Sequence, residues 1–177
     1  MLYRLSDLKR YNNMPRIKSE SLAEHQYYCA LILMKLKPYI YNITYQEYCI
    51  LLQYILIHDI GELYTGDIPH NVKEDYPDLK KLLEQIENEK LKLFGFNDMI
   101  GIVEKNNNLK MLFKLCDIVQ VIQYCENEFK LGNHSKDMQL IYNEAVTLTR
   151  KRLAWLQKNN IIDDRKDVID EILGIGN

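Results

Sequence analysis

Apolar positions along this chain recur at the three-to-four-residue spacing of helices, and no segment alternates as a strand would. Ser21-Leu-Ala-Glu24 reads as a capping box opening a helix that runs to about Leu36, ahead of Pro38. Thr44-Tyr-Gln-Glu47 is a second such box, and its helix carries "YCILLQYILIHDIGE". Pro77 and Gly95 bracket an amphipathic third helix, "DLKKLLEQIENEKLKLF". The Asn106–Asn108 run offers caps for a fourth, from roughly Leu109 to Lys130, with Gly132 as its stop. Ser135 can cap a fifth, "KDMQLIYNEAVTLTRKRLAWLQKN", and a short tail helix is expected around Asp167–Leu173. Between the second and third helices, "LYTGDIPHNVKED" reads as a polar loop. The expectation is an all-α fold, a single-domain bundle of about six helices across residues 1–177.

Composition narrows this further. With 177 residues, 47% of them hydrophobic, the chain can bury one substantial core, while 7 glycines and 4 prolines are few for the turns of a sandwich or barrel. A net charge of −2 gives no basic field to attract nucleic acid. The longest apolar stretch, "YCILLQYILI", is too short to cross a bilayer and is broken by Gln53, so no membrane partner is expected. The opening "MLYRLSDLKRYNN" lacks the apolar centre of a signal peptide. Cys29, Cys49, Cys116 and Cys125 form no C-x-x-C pair, which argues against a zinc ribbon. Reduced thiols in a cytoplasmic protein fit best.

Against that background some ionisable residues stand out. "LKMLFKLCDIVQVIQYC" is apolar on nearly all sides, which marks a helix in the middle of a bundle, yet Asp117 lies at its centre. An uncompensated carboxylate there would cost several kcal/mol, so it must be protonated, paired or metal-bound. His58 and Asp59 end another apolar helix, and His25 follows a capping box. Singly, each has an ordinary explanation. His25 can be a solvated or hydrogen-bonded histidine, Asp117 can pair with Lys114 or an arginine, and His58-Asp59 is only a two-letter motif. Jointly, two imidazoles and two carboxylates on separate helices point to one shared site. Mixed nitrogen and oxygen ligation suits Mn, Fe, Co, Ni or Zn better than Mg.

The ordered pattern H…HD…D, with its second part written "HDIGE", resembles the HD-domain metal-dependent phosphohydrolases. "AEH" at 23–25 together with "HDIGELYTGDIPHNVK" at 58–73 is similar to their bacterial 5'-deoxynucleotidase branch. The resemblance covers roughly residues 5 to 155. It implies metal ligands at His25, His58, Asp59 and Asp117, and a catalytic role for Glu62 alongside Asp59. It also implies that Arg10 orients the phosphate and that Tyr11, Asp67, Pro69 and His70 line the substrate side. Tyr11 stands where the family often has Trp, and His70 replaces a smaller polar residue.

Spacing supports Glu62 separately. It lies four residues after His58 and three after Asp59, so on a continuous helix all three share a face. A carboxylate there can steer a metal-activated water and take its proton. The ordinary alternative is a solvated helix end. Arg16 or Lys18 could replace Arg10 at the phosphate, or Arg10 could be a surface arginine. Asp67 could simply cap the turn before Pro69. With His134 in a polar turn, the histidine supply favours one divalent ion over a binuclear site.

The expected function is hydrolysis of the 5'-phosphate of deoxynucleoside monophosphates, with a small-molecule nucleotide as partner and a homodimer as the implied assembly. The alternatives are an HD-type hydrolase of another nucleotide or small phosphate ester, and an inactive helical binding module.

Overall fold

The computed structural model describes residues 2–163, and the side chains of His70, Asn71 and Asn97 fall outside the described set. Within these residues it holds eight α-helices and two isolated β-bridges, with no strand longer than a bridge. The helices are α1 (Leu22–Leu36), α2 (Tyr45–Ile55), α3 (Glu62–Thr65), α4 (His70–Asp75), α5 (Pro77–Leu93), α6 (Asn97–Lys105), α7 (Asn107–Lys130) and α8 (Lys136–Lys158). Both expected capping boxes close: Ser21 and Glu24 satisfy each other's backbone N–H groups at α1, as do Thr44 and Glu47 at α2. Asn106 caps α7 and Ser135 caps α8. The expected tail helix at 167–173 lies outside the described residues. No described helix is long and apolar enough to cross a membrane.

As its composition implied, α7 forms the central rod. Leu109, Leu112, Leu115, Cys116 and Val119 are all fully buried, packed with Cys29, Leu33 and Leu36 of α1, Leu51 and Ile55 of α2, and Leu156 of α8. All four cysteine thiols are free.

Three expectations need correction. The second helix ends at Ile55, so "HDIGE" does not continue it. The chain instead tightens into successive turns, with the N–H of Ile57 donating to Tyr54 O, Ile60 to Ile57 O and Glu62 to Asp59 O. The cause lies in two side chains that compete with the helix ladder. His58 Nδ1 takes the orphan Ile55 carbonyl at 2.7 Å. Gln26 of α1 receives the Asp59 N–H at 3.1 Å and donates to Leu56 O at 3.3 Å, with its amide oriented to meet both. The polar loop, second, contains α3 and α4, because Gly66 at φ 79° stops the first short helix and Pro69 precedes the next. Third, α6 was not anticipated, its nine residues being too short for a clear period.

Gly61 in this turn has a steric purpose. A Cβ there would fall 2.5 Å from Glu87 Cβ and 2.8 Å from Glu87 Cα, so its absence lets α5 lie against the turn. Thr65 Oγ1 then donates to Glu87 Oε1 at 2.9 Å. Gly61→Ala is expected to destabilise the fold by about 1–3 kcal/mol through this overlap. The midpoint of a urea transition measures it, and an unmoved midpoint would mean that α5 yields freely.

Candidate metal centre

His25 projects from the first turns of α1 and is almost fully enclosed, at 1% exposure. Its Nε2 lies 3.2 Å from Asp117 Oδ1 on α7 and 3.7 Å from Asp59 Oδ2 in the tight turn. His58 reaches the same point from the other side, its Nε2 3.1 Å from Asp59 Oδ2, and the two imidazole rings meet edge-on at 5.5 Å. One donor atom from each of His25, His58 and Asp117 fits within 4.8 Å of the others, with Asp59 bridging the two histidines. The four predicted ligands therefore converge. The bond from His58 Nδ1 to Ile55 O also commits one ring nitrogen to the backbone and leaves Nε2 facing the cluster. Phe113 packs against the His58 ring at 4.8 Å and holds it there.

Asp117 is less enclosed than its apolar helix suggested. About a third of its side chain is exposed (35%), its Oδ1 turned to His25 of α1 rather than into the apolar packing. It pairs with His25 rather than with Lys114, whose backbone carbonyl instead accepts from Arg152 at 2.5 Å.

Electrostatics bind the cluster together. Burial disfavours the His58 imidazolium, but the charges of Asp59 and Asp117 and a hydrogen bond to Asp59 outweigh it, raising its pKa to about 9. Burial pushes both aspartates up, while the histidines and Arg10 more than compensate and hold both below the usual carboxylate range. The two carboxylates thus favour positive charge at this point, whether carried by a proton on His58 or by a divalent ion. Two imidazole nitrogens and two carboxylates closing on one point fit such an ion chemically, since the carboxylates supply charge and the imidazoles borderline-soft nitrogen.

Glu62 opens α3 next to the cluster and is buried at 8% exposure. Burial raises its pKa to about 8, Asp59 and Asp67 add to the effect, and Lys73 on α4 opposes it through an ion pair of 3.3 Å. Sequence reading missed Lys73; no local signal marked it.

Arg10 reaches the cluster by a backbone device. An antiparallel bridge joins Lys9 to Ser21, with Arg10 N–H donating to Glu20 O and Leu22 N–H to Leu8 O, so the N-terminal segment runs beside the start of α1. The guanidinium abuts His25 Nδ1, donates to Gln120 Oε1 at 3.2 Å and lies 3.5 Å from Glu20 Oε2. Arg16 points elsewhere, donating to Tyr11 O, Asn12 and Ser19 in its own loop. Of the two arginines, Arg10 is the one that lies beside His25.

Tyr11 holds a left-handed backbone (φ 58°), uncommon for a bulky residue. Two contacts sustain it: its ring stacks on Tyr124 at 4.6 Å, and its N–H donates to Asp67 Oδ2 at 3.0 Å. Asp67 therefore braces the TGD turn against Tyr11. Pro69 stands at the entry to α4 with φ −54°, and His70 begins that helix. Glu20, Gln26 and Gln120 were also missed. A glutamine inside the apolar α7 run and another adjacent to His25 were the available signals.

A helical bundle that gathers H…HD…D onto one point is the HD-domain fold, and solved structures agree. The HD phosphohydrolase DatZ of cyanophage S-2L, solved with dA and one catalytic Zn2+ ion, superposes with a TM-score of 0.69 at 17% identity, covering 98% of this chain and 90% of that one. An HD-domain phosphohydrolase of Listeria innocua gives 0.68 at 20% identity, covering 98% and 86%. Residues 1–163 match the family described as 5'-deoxynucleotidase YfbR-like, and the chain belongs to it. Among curated relatives, a 5'-deoxynucleotidase of Photorhabdus laumondii is 26% identical, with 86% of this chain and 81% of that protein aligned. A 5'-deoxynucleotidase of Vibrio vulnificus is also 26% identical, over 75% of each.

Proposed function

We propose that the protein is a metal-dependent phosphomonoesterase that removes the 5'-phosphate of deoxynucleoside monophosphates. The observation that carries this reading is the convergence of His25, His58, Asp59 and Asp117 beside a buried Glu62. Membership of the 5'-deoxynucleotidase YfbR-like family supports the substrate class. His25, His58, Asp59 and Asp117 would hold one divalent ion, drawn from Co, Mn, Ni, Fe and Zn. When bound, such an ion supplies Lewis acidity to a water and to a phosphoryl oxygen.

The remaining work falls to the chain's own side chains. Glu62, buried beside Asp59 at the cluster, is the carboxylate placed to take a proton from the attacking water, and a divalent ion held next to it would favour its charged, proton-accepting form. Lys73 holds that carboxylate in place through its ion pair. Arg10, fixed beside His25, brings positive charge to the equatorial oxygens as the phosphoryl group transfers. Tyr11, Asp67, Pro69 and His70 form the substrate side in this reading, with Tyr11 as an aromatic wall.

A panel of ribo- and deoxynucleoside monophosphates, assayed with Mn, Co, Mg and EDTA, tests this. Phosphate release is expected from the deoxy set alone, sustained by Mn or Co and abolished by EDTA. Release from neither set with any metal would leave a binding module.

A further inference from the structure

Both candidate histidine ligands point Nε2 at the cluster, and each needs a group that keeps the proton on Nδ1. For His58 that group is a backbone carbonyl. For His25 it is a side chain, which makes it open to test. His25 Nδ1 lies 2.6 Å from Gln120 Oε1, one helical turn beyond Asp117 on α7. Gln120 is 2% exposed, and its Nε2 donates to Glu20 Oε1 at 2.5 Å.

That second bond fixes which end of the amide faces the imidazole. A carboxylate accepts only, so Glu20 must receive the NH2 end and the oxygen turns to His25. Gln120 and Glu20 border a cavity of about 230 Å³ shared with Glu24, Tyr28, Gln123 and Tyr124. Arg10 sharpens the need, because its Nη1 also abuts His25 Nδ1. If Arg10 donated to that nitrogen, the ring proton would move to Nε2 and remove the lone pair facing Asp59 and Asp117. Gln120 Oε1 lies in reach of both donors, 3.2 Å from Arg10 Nη1 and 2.6 Å from Nδ1, so it can accept from the guanidinium and from Nδ1–H and draw Arg10 off the ring, leaving Nε2 free.

We propose that Gln120, oriented by Glu20, is a positioning residue that sets the His25 tautomer for ligation through Nε2. This rests on the reading of His25 as a metal ligand. Outer hydrogen-bond partners of ligating histidines typically change metal affinity by 10- to 100-fold.

The test is zinc titration of the full chain against a competing chelator, which needs no substrate. Gln120→Met, similar in length but without an acceptor oxygen, is expected to weaken zinc binding by roughly 10- to 100-fold. Gln123→Met, which borders the same cavity without touching His25, should bind as the parent does. Thermal melts of the metal-free forms establish that both variants fold. If Gln120→Met does not fold, a long-range 1H–15N spectrum of the zinc-loaded parent decides alone, and His25 should show a protonated Nδ1. A metal-bound or proton-free Nδ1, or parental affinity in Gln120→Met, would overturn the proposal. A parent chain that binds no zinc would overturn the metal reading itself, whereas tight zinc binding without phosphate release would remove only the proposed activity.

Discussion

Asp117→Ala is expected to abolish both bound metal and phosphate release, the largest effect any single substitution should have here. Asp117 is the ligand candidate contributed by α7, and its Oδ1 is the carboxylate oxygen nearest His25 Nε2, at 3.2 Å. Removing it leaves His25, His58 and Asp59, a set with one negative charge fewer. Several kcal/mol of transition-state stabilisation depend on an ion held there, so activity should fall by about a thousandfold or more. The fold should survive. Asp117 is about one-third exposed and is not part of the apolar packing of α7. Elemental analysis of purified protein, paired with a turnover assay, checks the expectation. A variant retaining metal and turnover would place the centre elsewhere.

Glu62→Gln should separate chemistry from metal binding. The amide keeps the shape of the carboxylate and can still accept from Lys73, but it cannot take a proton. If Glu62 is the base, kcat should drop by about 10²- to 10⁴-fold while metal content stays at the parental level. Stability should move the opposite way. The Glu62 pKa rises from 4.5 to about 8 on folding, because burial and Asp59 disfavour its charge. The folded state therefore holds this proton more tightly than the unfolded chain does. Its stabilising share is complete below pH 4.5 and is lost as pH climbs through 8. A neutral glutamine avoids that loss. In the metal-free form the variant should match the parent near pH 4 and melt higher than the parent at pH 8. Lower stability at both pH values, together with lost activity, would instead mark Glu62 as a structural residue.

Reading HDIGE as part of one helix gave Glu62 the right neighbourhood by the wrong geometry. The apolar period through Ile55 and Ile57 does not reveal that His58 will bond the Ile55 carbonyl, nor that Gln26 will take the Asp59 N–H. Both interactions are contests between side chain and backbone, and Gln26 comes from a different helix. Asp117 illustrates the same limit. Apolar text around it predicted burial, whereas pairing with His25 across the bundle leaves about a third of its side chain exposed. Asp67 was expected on the substrate side or as a cap of the turn before Pro69, and its bond to the Tyr11 N–H, 56 positions away, is a contact that neither expectation contained.

What the amino-acid order determined by itself was local: two capping boxes, the helix-stopping glycines, an all-helical period, and the H…HD…D spacing that fixed which residues could meet. These follow from interactions within a few residues along the chain. Tertiary structure decided everything that depends on convergence, including Lys73 at Glu62, Arg10 rather than Arg16 beside His25, and the Glu20–Gln120 pair behind it. The physical reason is that a side chain's partners across the bundle are set by how α1, α4 and α7 pack, and packing leaves no periodic trace in the sequence.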